Sequence, residues 1–584
     1  MQAVESILIA NRGEIAVRVI RATKDLGIRS IAIYSELDRE AVHTSMADEA
    51  WNVGPAPAAD SYLNIESILN IARESGAAAI HPGYGFLAEN ADFAQAVVDN
   101  GHIWIGPPPS AIKMMGDKIA SRLTAEAAGV PGVPGINEAL TSVDQVAVFA
   151  EEHGFPVAIK ASAGGGGRGL KIAHSSEDLR EAFESAAREA EAWFSNPTVY
   201  VEKYLENARH IETQVLFDTH GNGVFLGERD CSLQRRHQKL VEECPAPGFT
   251  QEERSRVGEL SLALGRAAGY ESAGTVEFLY SEGEFYFLEM NTRIQVEHTV
   301  TEEVFGIDMV VEQIRIADGE NLSITETPEP VGHSIEFRIN AEDASQGFIP
   351  NPGILVRYRE PGGPGIRVDS GVVQGSEISQ YYDNLIAKLI VTGSDRNQVI
   401  TRAKRALNEY EIGGVETTIP AHLHILENED FLAGRVSTRL VEDTMDFSHL
   451  ERSTAPTLPE DEELAERRLT VEVGGRRFSV KYWANVMTAP GSGKRVAPRR
   501  KAPKLSKHGG SAGGDGIVTA PMQGTIVKIH KHAGESIEAG EPACVLEAMK
   551  MENEIKAEIS GEIVELKVQV GDTVSAGAPL MIIR

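Results

Sequence analysis

Over the first 115 residues, apolar positions fall into short runs separated by stretches with helical spacing. Ser6-Ile-Leu-Ile-Ala10 and Ser30-Ile-Ala-Ile-Tyr34 read as strands, and Glu14 to Leu26 between them reads as a helix. Strand and helix alternating in this way predict a parallel α/β layer. No GxGxxG follows the first strand, so no dinucleotide fingerprint is read there. From about 130 to 205 the pattern predicts a smaller unit, with strands Pro156-Val-Ala-Ile-Lys160 and Gly169-Leu-Lys-Ile-Ala173 joined by a run of glycines. A larger α+β region follows, with strands at Gly274 to Tyr280 and Glu284 to Asn291.

Beyond residue 450 the texture changes. Leu469-Thr-Val-Glu-Val473 and Arg477-Phe-Ser-Val-Lys481, separated by Gly474-Gly475, predict a lone hairpin. Residues 486–516 hold seven Lys or Arg, a single acid (Asp515), and many Gly and Pro. Such a segment buries too little apolar surface to fold. As a flexible coil it would span roughly 30 Å r.m.s., enough to let a small domain travel.

The last 68 residues contain an internal duplication. Gly524, Gly534, Gly540 and Pro542 return 37 positions later as Gly561, Gly571, Gly577 and Pro579, and Ile526-Val527 returns as Ile563-Val564. Two such halves predict one flattened all-β sandwich with a pseudo-twofold axis. Their junction is Glu547-Ala-Met-Lys-Met-Glu552, which puts Lys550 at a hairpin tip. An exposed lysine is by itself a solvated surface charge. Here tip position, symmetric scaffold and flanking Met549 and Met551 coincide.

Bulk properties narrow the function. At 584 residues the chain exceeds one core and predicts three to four domains. The formal net charge of -30 repels phosphodiester backbones and argues against nucleic acid. Three scattered cysteines, Cys231, Cys244 and Cys544, make neither a disulfide framework nor a zinc site and point to a reducing, cytoplasmic setting. No apolar run approaches the ~18 residues of a membrane span, and Met1 to Ile9 shows no basic leader.

Two stretches carry candidate chemistry. Gly164 to Gly167, Arg168 and Gly169 lie between two strands. Glycines there let backbone N–H groups approach phosphate oxygens. GxxxxGK[ST] is missing, so this is not a Walker A loop. Lys160 and Lys118 are the nearby cations for phosphate, although a lone lysine at either place is ordinarily a surface residue. In Glu289-Met-Asn291-Thr-Arg293-Ile-Gln295-Val-Glu297 every second residue is charged or carries an amide. An extended chain would point these five side chains one way. The bland alternative is a solvated strand face, but the neighbouring strands are rich in Phe and Val. Glu277, on the adjacent strand, joins Glu289 and Asn291 as oxygen ligands suited to Mg²⁺. Arg293 can hold a planar anion and Glu297 can act as a base beside it.

Residues 1 to about 447 resemble the biotin carboxylase family of the ATP-grasp superfamily. The resemblance rests on IANRGEIA at 9–16, HPGYGFLAEN at 81–90, MGDK at 115–118, IKASAGGGGRG at 159–169, EKYLE at 202–206, RDCSLQRRHQK at 229–239, EMNTRIQVEH at 289–298 and RINAED at 338–343. The AMKM at 548–551 resembles the biotinyl domain signature, whose lysine is amidated by a biotin protein ligase; related lipoyl domains usually carry DKA. The resemblance implies a multidomain α/β and α+β fold. It divides into an N-terminal α/β domain (1–115), an ATP-grasp domain (116–335, lid about 130–205), and a C-terminal carboxylase domain (336–447). A short β segment for subunit docking (448–485), a linker (486–516) and the biotinyl domain (517–584) follow.

The resemblance also implies roles. Lys118, Lys160, Glu202, His210, Gln234 and His237 would bind ATP, with Gly165, Gly166 and Gly167 closing over its phosphates. Glu277, Glu289 and Asn291 would hold Mg²⁺ or Mn²⁺. Lys239, Arg293, Gln295 and the backbone of Val296 would hold bicarbonate and biotin. Glu297 would deprotonate bicarbonate for attack on the γ-phosphate, and Arg338 would stabilise the biotin enolate. The implied activity is ATP-dependent carboxylation of biotin on Lys550, the first half-reaction of an acyl-CoA carboxylase. A separate carboxyltransferase β subunit would meet the acyl-CoA, within an assembly built on a dimer of carboxylase domains. Between carboxylase and carrier only about 65 residues are available, too few for a fused carboxyltransferase. The rivals are an ATP-grasp carboxylate–amine ligase, which needs no biotinyl domain; a carrier with an inert scaffold; and the α subunit of another biotin-dependent carboxylase. The segment His81 to Asn90 belongs to the resemblance without an assigned chemistry, and Cys231 reads as a buried thiol.

Overall fold

The computed structural model describes residues 4–136, 140, 142–161, 170–194, 198–451, 464–473, 476–485, 517–520, 524–548, 551–557, 559–574 and 577–584. The N-terminal domain is a parallel sheet of β1 (Ser6–Ile9), β2 (Arg29–Ser35), β3 (Glu49–Gly54), β4 (Ala79–His81) and β5 (Ile103–Trp104), in the order β3-β2-β1-β4-β5. Its first crossover helix is α1 (Gly13–Asp25). In β1 alternate side chains enter different cores: Ile7 and Ile9 pack with Ile15, Val19 and Ile314, while Leu8 packs with Ile33, Ile80 and Phe93. A central parallel strand covered on both faces reads as a continuous apolar run for this reason.

Helix α2 (Lys118–Ala127) leads into a small antiparallel sheet. It contains β6 (Gly135–Ile136), β7 (Val157–Ala161), β8 (Leu170–Ala173) and β9 (Val199–Lys203), in the order β6-β9-β7-β8. The glycine run between β7 and β8, with Gly165, Gly166 and Gly167, lies outside the described residues.

The central feature is an 8-stranded sheet. It is built from β10 (Arg209–Phe217), β11 (Gly223–Arg235), β12 (Gln238–Cys244), β13 (Ser272–Ser281), β14 (Glu284–Asn291), β15 (His333–Asn340), β16 (Ile366–Ser370) and β17 (Leu385–Gly393), in the order β14-β13-β10-β11-β12-β15-β17-β16. Two-residue periodicity separates its faces. Ile211, Val215, Val276 and Phe278 enter an apolar core with Phe285 and Phe287. Glu212 and Glu277, which face each other across β10 and β13, belong to the opposite set of positions. Further along, Phe337, Ile339, Leu389 and Val391 pack beneath α4 (Arg396–Glu409), with Val399, Ala403 and Leu407. Between β14 and β15, helix α3 (His298–Phe305) lies against the sheet through Val300 and Val304, which pack with Cys244 and Ile390.

The extended reading of 289–297 holds only to Asn291, where β14 ends. The chain then turns inward, and Glu297 becomes the N-cap of α3. Burial drives the turn: Ile294 is inserted into the apolar core of the N-terminal domain beside Ile15 and Met309, which a strand continuing along the sheet edge would not permit.

The hairpin after residue 450 is present and longer than its apolar core suggested, as β18 (Leu464–Val473) paired with β19 (Arg476–Asn485). The C-terminal duplication folds as two four-stranded sheets. One orders β20 (Ile517–Thr519), β27 (Pro579–Ile583), β25 (Gly561–Leu566) and β22 (Ser536–Ile537) side by side. The other orders β24 (Met551–Lys556), β23 (Pro542–Ala548), β21 (Gly524–Ile529) and β26 (Thr573–Val574). Ile526 and its repeat mate Ile563 sit in the two apolar clusters of this sandwich. Ala548 and Met551 are the terminal pair of the β23–β24 ladder; Met549 and Lys550 lie outside the described residues.

Candidate active site

The polar face of the central sheet gathers residues from β10 to β15 and from the turn after β14. Lys239, on β12, is the hub. Its Nζ donates to Glu212 Oε2 at 2.8 Å, to Glu297 Oε1 at 2.7 Å and to Glu277 Oε1 at 3.3 Å. Burial works to lower the Lys239 pKa, but the three carboxylates outweigh it and hold the ammonium well above its ordinary value. Burial raises the Glu277 and Glu212 carboxyls, and the cations around them win: Lys239 and His210 for Glu277, Lys239 and Arg229 for Glu212. Both end far below the ordinary carboxylate range.

Glu297 is 1% exposed, and its side chain does not cap α3. Its two oxygens go instead to Lys239 and, at 3.0 Å, to Arg338 Nη2. Burial and Glu212 raise its pKa; Lys239, Arg338 and Arg229 bring it below the ordinary value, so the group is a carboxylate. Arg338, on β15, also donates through Nε to Glu242 Oε1 at 2.6 Å. Burial and Glu297 push the Glu242 carboxyl up to about 7 against the pull of Arg338.

The three expected metal ligands converge. Glu277 and Glu289 are direct cross-strand partners, and Asn291 follows two residues later on β14. Like charges directly opposite across strands repel. Desolvation and the carboxylates of Glu277 and Glu89 raise the Glu289 pKa. A carboxylate pair with an adjacent amide oxygen is a donor set that fits a hard divalent cation. Asn291 presently donates its amide N–H to Glu277 Oε1 at 2.7 Å and accepts from Arg293 through Oδ1 at 3.0 Å, so metal ligation would turn that amide. His210, expected near ATP, donates through Nε2 to Glu277 Oε2 at 2.8 Å. With Glu212 and Glu277 it brings three potential ligand atoms within 4.8 Å of one another.

Arg293 touches the metal set through Asn291 and turns its Nε to Glu89, 2.9 Å from Oε2. Glu89 Oε1 also accepts the backbone N–H of Thr292 at 3.1 Å. Gln295 donates to Glu277 Oε1 at 2.7 Å and accepts from Arg229 Nη2 at 2.9 Å. Arg229, fully buried, also donates to Glu212, Gln214, Thr275 and Thr301. Cys231 reads here as it did in the sequence: its buried thiol donates to Glu212 Oε1 at 2.8 Å, and burial with Glu212 raises its pKa well above the usual thiol range.

In the small sheet, Glu202 accepts from Lys160 and, at 2.7 Å, from Arg122 Nη2. Lys118 opens α2, which is capped by Asp117. Gln234 pairs across the β11–β12 hairpin with Lys239, while Arg236 and His237 at its turn take positive φ.

Sequence reasoning missed Glu89, Glu212, Arg229 and Glu242. Glu89 and Arg229 lie inside quoted motifs; Glu212 sits two residues past His210 and Glu242 three past Lys239, each on one strand. The motif 81–90 now has a physical role: its Glu89 holds the turn after β14 at Thr292 and Arg293. Asn11 Nδ2 donates to the carbonyls of Pro82 at 2.7 Å and Tyr84 at 2.8 Å, fixing the turn that carries it. A Cβ on Gly83, at φ +62°, would strike Ile15 and Asn11.

Comparison with known proteins gives matches along most of the chain. Residues 3–112 match the biotin carboxylase N-terminal domain and 117–325 match the carbamoyl-phosphate synthase L chain ATP-binding domain. Residues 336–443 match the biotin carboxylase C-terminal domain, and 517–583 match the biotin-requiring enzyme family. The biotin-dependent acyl-coenzyme A carboxylase alpha3 subunit of Mycobacterium leprae is 48% identical over 564 residues, 95% of this chain and 94% of its own. A pyruvate carboxylase subunit from Methanothermobacter thermautotrophicus is 51% identical over 79% of this chain and 94% of its own. Among solved structures, the biotin carboxylase domain of the 2-oxoglutarate carboxylase of Hydrogenobacter thermophilus, described as a dimer with MgADP, ADP and bicarbonate, superposes with a TM-score of 0.68. It is 50% identical and covers 76% of this chain and 98% of its own.

Proposed function

The chain belongs to the biotin carboxylase family of ATP-grasp ligases and carries its own biotinyl domain, and from that membership we propose how its residues divide the work. Lys239, Arg293, Gln295 and the Val296 backbone hold bicarbonate, and Glu297 takes its proton. Arg338 faces the carboxyl acceptor. The carrying observation is the pair of contacts on Glu297: a fully buried carboxylate held ionised between Lys239 and Arg338 is a base placed where anions meet cations. ATP is held by Lys118, Lys160, Glu202, His210, Gln234 and His237, with Gly165 to Gly167 over its phosphates. Glu277, Glu289 and Asn291 hold Mg²⁺, which when bound neutralises phosphate charge. Biotin on Lys550 supplies the ureido nitrogen that accepts the carboxyl group. In binding its substrates, the site exchanges internal ion pairs for substrate anions. Arg293 exchanges Glu89, and Lys239 shares its charge between Glu297 and bicarbonate.

The alpha-subunit membership implies a carboxyltransferase partner. We assign its acceptor as an acyl-CoA because the acyl-CoA carboxylase relative matches through the biotinyl domain as well as the carboxylase. The hairpin β18–β19 is the candidate docking element for that partner, and residues 486–516 the tether that lets the carrier move between sites. A dimer of carboxylase domains and a cytoplasmic setting complete the reading. No helix among the described residues is long and apolar enough to cross a membrane.

The test is transfer of labelled bicarbonate to the purified biotinylated chain with and without Mg-ATP. Acid-labile label that requires ATP is the expected result. ATP hydrolysis without label would sink the self-carboxylating assignment.

A further inference from the structure

Lys388 is the one fully buried lysine among the described residues, at 0% exposure. It stands on β17 directly opposite Arg338 on β15, and on its other side opposite Asp369 on β16. Arg338 and Lys388 therefore occupy neighbouring positions on one sheet face and reach consecutive residues of the same turn. Arg338 takes the carboxylate of Glu297; Lys388 Nζ donates to the carbonyl of Val296 at 2.8 Å. The ammonium is balanced by Glu14 on α1, 3.2 Å away. The ring of Tyr84, from the motif at 81–90, lies 5.9 Å from Nζ. Glu336, Asp369 and Arg367 are the other charges around it.

Removing an ammonium from water is costly, and a carbonyl could be satisfied by a neutral donor. The cost makes sense where the carbonyl must be held in one orientation. The Val296 carbonyl shares its peptide plane with the Glu297 N–H, so fixing it fixes the peptide from which the Glu297 side chain is aimed. Glu14 ties this support to the motif at 9–16, whose Asn11 holds the Tyr84 turn.

We infer that Lys388, with Glu14 as its counter-ion, is a positioning residue that sets the bicarbonate-binding turn 293–297 from behind. This rests on the bicarbonate assignment above. The two N-terminal motifs then act on one turn, the motif at 9–16 through Glu14 on Lys388 and the motif at 81–90 through Glu89 on Thr292 and Arg293.

The test uses the full-length chain and reads bicarbonate-dependent ATP hydrolysis, with KM for bicarbonate and for ATP measured separately. Lys388→Met strands Glu14 as a buried carboxyl and can cost folding. The double variant Glu14→Gln/Lys388→Met removes both charges and keeps the fold testable by its thermal midpoint. The expected result for a folded variant is a rise in KM for bicarbonate on the order of tenfold with KM for ATP within about twofold. An unchanged KM for bicarbonate, or an equal rise in both constants, overturns the inference. If the unmodified chain shows no bicarbonate dependence, the bicarbonate assignment fails, and this inference with it.

Discussion

In the central sheet, Glu297 meets Lys239 from β12 and Arg338 from β15, while the carbonyl before it meets Lys388 from β17. Four separated segments must pack before one carboxylate is in place. In the biotinyl domain the candidate carrier lysine, Lys550, falls in sequence between β23 and β24, which pair with each other. One region distributes its chemistry across the fold; the other concentrates it in a few consecutive residues on a duplicated scaffold. The difference follows from the chemistry of each region. Bringing two anions together demands charges held without reorganisation, whereas carrying a group demands only an accessible attachment point.

The comparison is broken most directly at its local end. Lys550→Ala should abolish labelling of the chain entirely and leave ATP-dependent carboxylation of free biotin intact, measured as bicarbonate-dependent phosphate release. Loss of the free-biotin reaction too would show that the two regions are not separable. Next, Glu297→Gln keeps the shape and removes the base; the rate of bicarbonate-dependent ATP hydrolysis should fall by about 10²- to 10⁴-fold. Retention of activity would move the base elsewhere on the sheet. Glu242→Gln sharpens the distributed side. It removes one of the two carboxylates that fix Arg338, and kcat/KM for biotin should fall on the order of tenfold. Arg338→Lys should not restore it, because an ammonium cannot span both partners as a guanidinium does.

A further test concerns three residues away from the chemistry. Burial raises the Glu243 carboxyl, but His333, at 2.9 Å, and Arg396, at 2.7 Å, hold it at about 2 against the usual 4.5. A pKa lowered by folding contributes stability that is complete above about 4.5 and lost as the pH falls toward about 2. The full effect is on the order of 3 kcal/mol. Unfolding curves at pH 6 and pH 3.5 should therefore differ less in Glu243→Gln than in the unmodified chain. An identical acid dependence would place the contribution with other carboxylates.

Much of the fold follows from local pattern. The 37-residue repeat specified a two-sheet sandwich, and the alternation around β1 and α1 specified a parallel layer, because side-chain periodicity reports directly which face is covered. The strand face at 289–297 shows where pattern stops. Asn291 and Gln295 reach Glu277, and Glu297 reaches Lys239; Gln295 and Glu297 do so through a turn forced by burial of Ile294 against the N-terminal domain, while Arg293 goes to Glu89. Period two describes a chain already extended; it cannot say where a distant core will pull that chain aside.

The sequence by itself marked the strands and helix quoted at the outset, the candidate carrier lysine, the candidate metal pair Glu277 and Glu289, and Arg293 and Glu297 as candidate anion-site residues, because each is written in residue type and spacing; Lys239 and Arg338 came only through the family resemblance. Only the tertiary structure decided that Glu89 holds Arg293, that Arg229 locks Gln295 beneath Glu212, and that Lys388 supports Val296. The contacts Arg229–Gln295, Lys388–Val296 and Arg293–Glu89 join residues 66 to 204 positions apart. A contact of that span leaves no periodic trace, since its energy depends on the burial and the register of strands that meet only when the sheet is complete.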